Sequence, residues 1–283
     1  MSSEFGDSKY KRRGEMTMFE LDQLVTQAST TLNRFHLGGK VAIVVGGGRG
    51  LGQAMALALA AAEADVCVVG RTRKDLKKTA ESVQKLGHRG EYIVADVTRE
   101  VAVGRMVKQV HKLFGRIDIL VNSQGTVHLQ PSIDFEAKAW QKVIDVNLKS
   151  VFLCCKHVGR VMLGQGKGKI INISSVRSFQ GRIGDLAYAP SKGAVNQLTR
   201  SLAIEWGPKG INVNGLAPVF TLTSINKEYF EDPVKRDWVL GRIPMKRVGQ
   251  LEDLFGPVVF LASDASNFVN GHILVVDGGW LAA

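Results

Sequence analysis

The sequence predicts one doubly wound α/β domain, in which helices cover both faces of a single parallel sheet. Short apolar runs rich in β-branched residues alternate with helix-type segments from residue 40 to the C terminus. Strands that are apolar along their whole length are typical of parallel sheets buried on both faces. No repeat or linker interrupts residues 37–283, and a glycine cluster separates the first apolar run from the first helix-type segment. Together these observations favour one large domain over two small ones.

The apolar runs are the predicted strands, and the segments between them are the predicted helices. In chain order the strands are KVAIVV, DVCVVG, EYIVADV, IDILVN, GKIINIS, INVNGLA and HILVVDGG. The helices are LGQAMALALAAAEA, RKDLKKTAESVQKLG, VAVGRMVKQVHKLFG, a segment before VNLKSVFLCC, and SKGAVNQLTRSLAIEWG. Residues 1–36 precede this alternation, and MFELDQLVTQASTTL within them has some helical periodicity. We expect residues 1–36 to form an extension that is partly helical or mobile.

Composition limits the classes of function. The net charge is +11, but the basic residues are scattered and only KYKRR at residues 9–13 forms a run, so a solvated basic surface is favoured over nucleic-acid binding. No apolar stretch reaches the roughly 18 residues of a membrane span. The three cysteines cannot form a disulfide framework, and no Cys/His spacing resembles a metal site. We expect a cytoplasmic protein without a metal.

A glycine loop, VVGGGRGLG at residues 44–52, joins the first predicted strand to the first predicted helix. Glycine lets the backbone turn sharply and approach a pyrophosphate, while the helix N terminus supplies N–H groups and a positive dipole end. The spacing is G-x-x-x-G-x-G rather than G-x-G-x-x-G, and glycines that only form a turn are the alternative. We predict a Rossmann-type dinucleotide site that includes Gly46, Gly48, Arg49, Gly50, Leu51 and Gly52.

The end of the second predicted strand indicates which dinucleotide binds. Sites for NAD usually place an acid there to hold the ribose 2′-hydroxyl. In this chain Gly70 takes that place and is followed by Arg71 and Arg73. An arginine can pair bidentately with a phosphate, and Arg49 could approach the same phosphate. The sequence therefore favours NADP(H), and two solvated arginines beside a promiscuous site are the alternative.

The run YAPSK at residues 188–192 places a phenol and an ammonium group four residues apart. In a helix Tyr188 and Lys192 lie on the same face, one turn apart. Proline is tolerated mainly in the first turn of a helix. We therefore expect a helix to begin near Tyr188, with Pro190 in its first turn.

Several motifs occur in order: the glycine loop, ADV at residues 95–97, NSQG at 122–125, VNLKSVF at 146–152, NISS at 172–175, YAPSK, and VDGGW at 276–280. With these motifs the chain resembles the short-chain dehydrogenase/reductase family over about residues 37–280. The resemblance implies that Tyr188 is the general acid/base and that Lys192 is its neighbour and binds the nicotinamide ribose. It also implies that Ser175 orients the substrate and that Asn147 anchors a proton-relay water. An asparagine that only bonds backbone is the alternative for Asn147.

The chemistry of hydride transfer agrees with these implied roles. A hydride that moves between a nicotinamide and a carbonyl carbon leaves charge on the oxygen, which must gain or lose a proton. The ordinary pKa of a phenol, near 10, is too high for a base at neutral pH. We expect the Lys192 cation, a helix N terminus and the charge of the oxidised nicotinamide to lower the pKa of Tyr188. The Ser175 hydroxyl can hydrogen-bond the developing oxyanion.

The resemblance also implies cofactor contacts by Asp96 and Val97 at the adenine, by Asn122 and Gly125 beside the nicotinamide, and by Thr223 at the carboxamide or diphosphate. The chain departs from the family pattern at Val45, where a hydroxyl that fixes the glycine loop is missing. It also departs at Ser123, Gln124 and Val219, which leaves the shape of the pocket beside the nicotinamide open.

The substrate is less well indicated by the sequence. Residues of about 219–249, the variable substrate lid of the family, are rich in Lys and Arg. Arg177, two residues after Ser175, suits a carboxylate or another polar anion, and a surface arginine paired with an acid is its alternative. Residues 231–280 resemble the gluconate 5-dehydrogenase-like branch, which implies a sugar acid or a polyol-derived ketone.

Other functions stay open on the sequence alone. A 3-oxoacyl-carrier-protein reductase would use the surface lysines for an acidic partner, and secondary-alcohol or steroid substrates are further possibilities. A non-catalytic nucleotide-binding sensor or scaffold belongs to another class. The family's usual form is a homotetramer, and the apolar helices VFLCCKHVGRVML and NQLTRSLAIEWG fit burial against a second subunit.

Overall fold

The computed structural model describes residues 17–223 and 227–283, so the basic run at residues 9–13 lies outside the described residues. The chain divides into two units, Met1–Arg34 and Phe35–Ala283. In the first unit α1 spans Met18–Ser29 and begins with a capping box. The Thr17 hydroxyl accepts the N–H of Glu20, and the Glu20 carboxylate accepts the N–H of Thr17. None of the residues in α1 is buried.

The second unit contains one sheet of seven parallel strands. The strands are β1 Val41–Val45, β2 Asp65–Gly70, β3 Gly90–Val94, β4 Ile119–Asn122, β5 Gly168–Ile173, β6 Ile211–Pro218 and β7 Ile273–Val276. Their spatial order is β3-β2-β1-β4-β5-β6-β7. The predicted fold class is therefore confirmed.

Helices connect the strands in the order that the sequence predicts. They are α2 Gly50–Ala61, α3 Arg73–Lys85, α4 Glu100–Phe114, α5 Ala137–Ile144, α6 Ser150–Gln165, α7 Tyr188–Trp206, α8 Lys227–Glu231, α9 Pro233–Arg242 and α10 Phe255–Ala262. A π-helical turn, Asp145–Lys149, lies between α5 and α6. Helix α7 begins at Tyr188, so Pro190 lies in its first turn, as expected.

Two apolar cores lie on opposite faces of the sheet. Alternate residues of β1 point to opposite faces, so Ile43 packs in one core and Val44 in the other. The core around Ile43 is closed by α4, α6 and α7, and the core around Val44 is closed by α2, α3 and α10. This arrangement is the double winding that the sequence predicts.

The order of the strands reverses between β1 and β4, which are neighbours in the sheet although β2 and β3 lie between them in the chain. In open α/β sheets such a switch point opens a crevice at the carboxyl ends of the strands, where ligands bind. The glycine loop follows β1, and Ser123 and Gly125 follow β4. The topology therefore brings the predicted site motifs to one edge of the sheet.

A smaller apolar cluster lies beyond this edge. Its buried members are Val176, Val239, Ile243 and Trp280. They come from the segment after β5, from α9 and its C-terminal end, and from the segment after β7. The cluster packs α9, which belongs to the predicted lid, against the main domain.

Candidate active site

One cavity of about 490 Å³ lies at the carboxyl ends of β1 to β6. Its wall contains most of the predicted site residues, which are Gly46, Gly48, Arg49, Gly50, Leu51, Gly52, Arg71, Asp96, Val97, Gly125, Ser175, Arg177, Tyr188 and Thr223. Three predicted residues are not part of this wall: Asn122, Asn147 and Lys192. The cavity also has residues that sequence reasoning did not single out, among them Asp75, Thr98, Arg182 and Asp185.

The glycine loop has a backbone that other residues could not easily adopt. Gly46 and Gly50 have φ angles of 78° and 56°, in the left-handed region. A Cβ atom on Gly46 would lie 2.8 Å from the backbone nitrogen of Gln124, and one on Gly52 would collide with the carbonyl of Gly46. Arg49, the N-cap residue of α2, makes no side-chain bond to the first turn, so no cap competes with a ligand for those N–H groups. This cradle fits a pyrophosphate.

The end of β2 forms the neighbouring part of the wall. Arg71 and Arg49 are both exposed and border the cavity. Arg73 does not border it, because its Nη1 donates to the Tyr92 hydroxyl at 3.3 Å and its guanidinium lies 5.9 Å from the centre of the Tyr92 ring. Two arginines therefore face a phosphate position, and they fit a 2′-phosphate. Asp75, in the first turn of α3, is an acidic residue in the same wall.

Asp96 and Val97 follow β3 and continue the wall. One carboxylate oxygen of Asp96 accepts the N–H of Thr98 at 3.1 Å and the Thr98 hydroxyl at 2.7 Å. The hydrogen bond from the Thr98 hydroxyl, with smaller effects from the backbone of Thr98, Arg71 and Arg99, lowers the pKa of Asp96 despite partial burial. The Asp96 side chain is thus ionised and fixed by the turn that it caps.

Tyr188 and Lys192 share one face of α7. The Nζ atom of Lys192 lies 5.7 Å from the centre of the Tyr188 ring. The same atom donates a hydrogen bond of 2.6 Å to the carbonyl of Ile173, the last residue of β5. Lys192 is only 4% exposed, and burial lowers the pKa of its ammonium group to about 8. The lysine therefore lies beneath the tyrosine, behind the cavity wall.

The pKa of Tyr188 shifts in the direction opposite to the expected one. Burial raises it, because the phenolate loses solvation, and the charge of Asp185 raises it further. The hydrogen bond with Ser175 and the charge of Arg177 lower it by less. Lys192 is not among these causes, since its ammonium group is directed at the Ile173 carbonyl. Neither the partial burial of the phenol nor the position of Asp185 was predicted from the sequence.

The loop that carries Ser175 is fixed by an asparagine on α7. Asn196 accepts the Ser174 hydroxyl at 2.6 Å and donates to the Ser178 hydroxyl at 2.8 Å. The Ser178 hydroxyl in turn donates to the carbonyl of Ser175 at 2.6 Å. Asn196 was not predicted, although its spacing of four residues from Lys192 and eight from Tyr188 puts it on the same face of α7.

Asn147 lies in the π-helical turn and is fully buried. Its Nδ2 donates to the Thr126 carbonyl at 2.9 Å and to the Ser191 hydroxyl at 3.0 Å, and its Oδ1 accepts the Thr126 N–H at 2.8 Å. Both amide hydrogens are used. The side chain therefore bonds the backbone of Thr126, as expected for an asparagine with a structural role, and also bonds the Ser191 hydroxyl. It holds Thr126 beside Gly125, where a Cβ atom would lie 3.7 Å from its Oδ1 and 3.9 Å from the Nζ of Lys192.

Asn122 is buried behind the wall rather than within it. Its Nδ2 donates to Asn172 at 2.8 Å and contacts the Sγ of Cys155 at 3.4 Å. The residues that reach the cavity from this strand are Ser123, Gln124 and Gly125. Gln124 donates to the Ser150 hydroxyl at 2.9 Å, while its Oε1 is buried without a partner in the described residues. The side chain of Asn122 therefore connects β4 to β5 and α6 behind the site.

The segment after β6 closes the far side of the cavity with Val219, Phe220, Thr221 and Thr223. A Cβ atom on Gly50 would lie 3.7 Å from the Cγ2 of Thr223, so this segment approaches the glycine loop. The N–H of Gly249 donates to the Phe220 carbonyl at 2.9 Å, and the N–H of Leu222 donates to the Gly249 carbonyl at 2.8 Å. These bonds join the two ends of the predicted lid.

Across residues 17–223 and 227–283, no group of three or more His, Cys, Asp or Glu side chains is placed to hold a metal ion. In the same ranges no helix has the length and apolar character needed to cross a bilayer.

A family model described as "Enoyl-(Acyl carrier protein) reductase" matches residues 45–281. Over 252 residues the chain is also 44% identical to the 2-dehydro-3-deoxy-D-gluconate 5-dehydrogenase of Dickeya dadantii. That match covers 89% of this chain and 99% of the relative. The chain belongs to the short-chain dehydrogenase/reductase family. It is an oxidoreductase that acts on an alcohol or a ketone.

Further members of the short-chain dehydrogenase/reductase family resemble this chain over nearly their whole length. Gluconate 5-dehydrogenase of Gluconobacter oxydans is 39% identical over 245 residues, which are 87% of this chain and 96% of the relative. The solved structure of a gluconate 5-dehydrogenase from Burkholderia cenocepacia, in complex with NADP and tartrate, matches with a TM-score of 0.86 and 39% identity. The match covers 89% of this chain and 99% of the chain in the solved structure. The resemblance to the gluconate 5-dehydrogenase-like branch is therefore confirmed.

Proposed function

We propose that this protein is an NADP(H)-dependent oxidoreductase that interconverts a secondary alcohol and a ketone on a sugar acid. The observation that carries the proposal is the cavity that joins a pyrophosphate cradle and two arginines to Ser175 and Tyr188. Relatives named for gluconate and its derivatives support the class of substrate, and the structure solved with NADP supports the cofactor.

The residues that would hold the cofactor follow from the wall of the cavity. The glycine loop and the first turn of α2 would bind the pyrophosphate, and Arg49 and Arg71 would bind the 2′-phosphate. Asp96 and Val97 would border the adenine, while Gly125 and Thr223 would border the nicotinamide half. When bound, the nicotinamide dinucleotide supplies the hydride for ketone reduction or accepts it in alcohol oxidation.

Tyr188 would move the proton that accompanies reduction. The raised pKa keeps its phenol protonated at neutral pH, so it is an acid ready to neutralise the oxygen of the reduced ketone. The Ser175 hydroxyl, which acts to lower the pKa of Tyr188, would hold the same oxygen. Lys192 lies one turn below, with its ammonium group bonded to the Ile173 carbonyl behind the cavity wall, and would bind the nicotinamide ribose from there.

Asn147 would support the site by holding neighbouring residues in place. Its side chain holds Thr126 and Ser191, and both of its amide hydrogens are used. A water anchored at Asn147 would therefore need the second lone pair of Oδ1 or the main chain of the π-helical turn. We propose that Asn122 supports the wall through Asn172 rather than by touching the cofactor.

The test is a steady-state assay that follows the absorbance of the reduced nicotinamide with NADPH and a panel of ketones. The panel contains 5-keto-D-gluconate, a 3-oxoacyl thioester, a simple secondary ketone and a steroid ketone. We expect the highest kcat/KM with 5-keto-D-gluconate or another keto acid of a sugar. A preference for the thioester would support the carrier-protein reductase instead, and binding of NADPH without turnover of any compound would support the sensor or scaffold.

We also propose that residues 37–283 form the catalytic domain, with a lid at about 219–249 and residues 1–36 as an extension outside it. The absence of buried residues in α1 supports this division. Deletion of residues 1–36 is expected to leave kcat and KM unchanged within about twofold, because no predicted site residue lies there. A large loss of activity in a folded deletion variant would contradict this.

We propose a homotetramer in the cytoplasm. Exposed apolar side chains on the helices expected to meet a second subunit, Phe152 on α6 and Ile204 on α7, support the assembly. The three cysteines are buried free thiols, which suits a reducing compartment. Light scattering should give four times the chain mass of 30.8 kDa, and cell fractionation should recover the protein in the soluble fraction.

A further inference from the structure

Arg177 is a cavity residue whose donors are nearly all unused. Its Nη1 donates one long bond of 3.4 Å to the Gly181 carbonyl. Its Nη2 is buried and has no partner in the described part of the chain. A guanidinium offers five N–H donors and remains charged at neutral pH. Buried donors without acceptors are unfavourable, so this side chain is set up to gain from an incoming acceptor.

The charges around Arg177 favour an acceptor that is negatively charged. Among the described residues, no carboxylate lies within 4 Å of its guanidinium. Burial lowers the pKa of Arg177 most, and the charges of Arg182, which lines the same cavity, and of Arg242 lower it further. Asp185 acts in the other direction, but it is buried and accepts the N–H of Ala189 at 3.0 Å. Positive charge therefore exceeds negative charge on this wall.

Trp280 holds the arginine in place. The guanidinium of Arg177 lies 5.6 Å from the Trp280 ring, and that of Arg242, the last residue of α9, lies 4.9 Å from it. The indole N–H donates to the Gln180 side chain at 2.8 Å, and the ring is only 2% exposed. A fixed aromatic ring orients a guanidinium through cation–π attraction. The stack thus connects the lid helix and the C-terminal segment to the wall beside Ser175.

Arg177 is also close to the reacting groups. Its backbone N–H donates to the Oγ of Ser175 at 3.1 Å, and its charge acts on the phenol of Tyr188. A ligand oxygen bound at the guanidinium and a carbonyl held by Ser175 and Tyr188 would therefore belong to one small molecule. A planar fork of donors matches the two oxygens of a carboxylate.

We propose that Arg177, positioned by Trp280, binds the carboxylate of the substrate and makes the cavity select anionic ketones and alcohols over neutral ones. This inference rests on the proposed function and goes further, because it assigns the selection of the acid to one side chain and its aromatic support.

The test compares Arg177→Met with wild type on 5-keto-D-gluconate and on its neutral methyl ester. The change removes the charge and the fork but keeps an unbranched apolar chain. We expect kcat/KM for the acid to fall about 10- to 100-fold, the range for loss of a charged hydrogen bond, with less than about threefold change for the ester. Titration with NADPH shows whether the variant is folded, and its Kd should match wild type.

Arg236→Met is the matched control. Arg236 is an exposed arginine of α9 that pairs with Asp237 at 3.1 Å, so its replacement makes the same change in net charge near the lid. Both substrates should keep wild-type kinetics in this variant. An equal fall for acid and ester in Arg177→Met, or an unchanged acid, would overturn the proposal.

Trp280→Leu tests the positioning role. Loss of the ring should raise KM for the acid several-fold while KM for the ester and Kd for NADPH stay close to wild type. If KM for both substrates rises together, Trp280 supports the lid in general and does not position Arg177. These results differ from a failure of the proposed function, in which the wild-type protein would reduce no sugar keto acid at all.

Discussion

The two halves of the cavity are built in different ways. The half that fits a dinucleotide is formed largely by backbone, with left-handed glycines, a helix start without a side-chain cap and the ends of β1 to β3. The half beside Ser175 and Tyr188 is formed by side chains from the segment after β5, from α7 and from the segment after β6, with Trp280 packed in the apolar cluster that includes Val176. The first half tolerates few changes in shape, whereas the second can change its selectivity through single side chains.

The largest expected effect comes from the chemical half. Tyr188→Phe removes the hydroxyl but keeps the ring beside Lys192. We expect kcat to fall about 10²- to 10⁴-fold, the range for loss of a general acid, with Kd for NADPH within about threefold of wild type. Stopped-flow reduction and a fluorescence titration measure the two quantities. Intact turnover in this variant would remove the basis of the proposed mechanism.

Arg71→Asp affects the cofactor half alone. The change replaces a cation beside the 2′-phosphate position with an anion, next to Asp96 and Asp75 in the same wall. We expect Kd for NADPH to rise about 100-fold and Kd for NADH to stay within about threefold, since NADH lacks the phosphate. Equal losses for both cofactors in parallel titrations would refute the assignment.

Gly46→Ala tests whether the backbone makes the cradle. The new Cβ would meet the backbone of Gln124 and would stand on a φ of 78°. We expect Kd for NADPH to rise about 30-fold, because the loop must shift away from the pyrophosphate position. Gly87→Ala is the matched control: its φ is 88°, with no atom within 4 Å of the new Cβ. Both variants should lose stability in thermal unfolding, but only Gly46→Ala should lose affinity.

Asn196→Ala probes how the Ser175 loop is held. Loss of its bonds to Ser174 and Ser178 should lower kcat about tenfold while Kd for NADPH is unchanged. Because Asn196 acts through Ser175, the double variant with Ser175→Ala should be no slower than Ser175→Ala alone. Additive losses would show that Asn196 acts on another part of the site.

A dependence on pH should be no larger than the effect of Asn196→Ala. With a pKa of about 8, Lys192 is mostly charged at pH 7 and mostly neutral at pH 9. If turnover needs the positive charge of Lys192, kcat for reduction falls about tenfold over this range, as the charged fraction does. The raised pKa of Tyr188 keeps its phenol protonated there. A profile that is flat from pH 7 to pH 9 would contradict a role for the charge of Lys192.

The dinucleotide half of the cavity was easier to predict from the sequence than the half beside Ser175 and Tyr188. The glycine loop, Arg71 and the Tyr188–Lys192 pair were found from short spacings, because turn geometry and helical periodicity act over a few residues. Sequence reasoning missed Asn196, Asp185 and the support of Arg177 by Trp280, which join residues from separate elements. It expected a lowered pKa for Tyr188 with the nicotinamide bound, whereas in the protein alone partial burial, which depends on the packing around the phenol, raises that pKa.

The amino-acid order by itself determined the doubly wound sheet, the start of α7 at Tyr188 and the membership of the family. Each depends on local periodicity or on motifs read in order. Only the tertiary structure decided that Lys192 binds the Ile173 carbonyl, that Asn122 turns away from the cavity and that Trp280 meets Arg177. The physical reason is that solvation and side-chain partners are set by residues far apart in the chain, which meet only when the sheet and its helices pack.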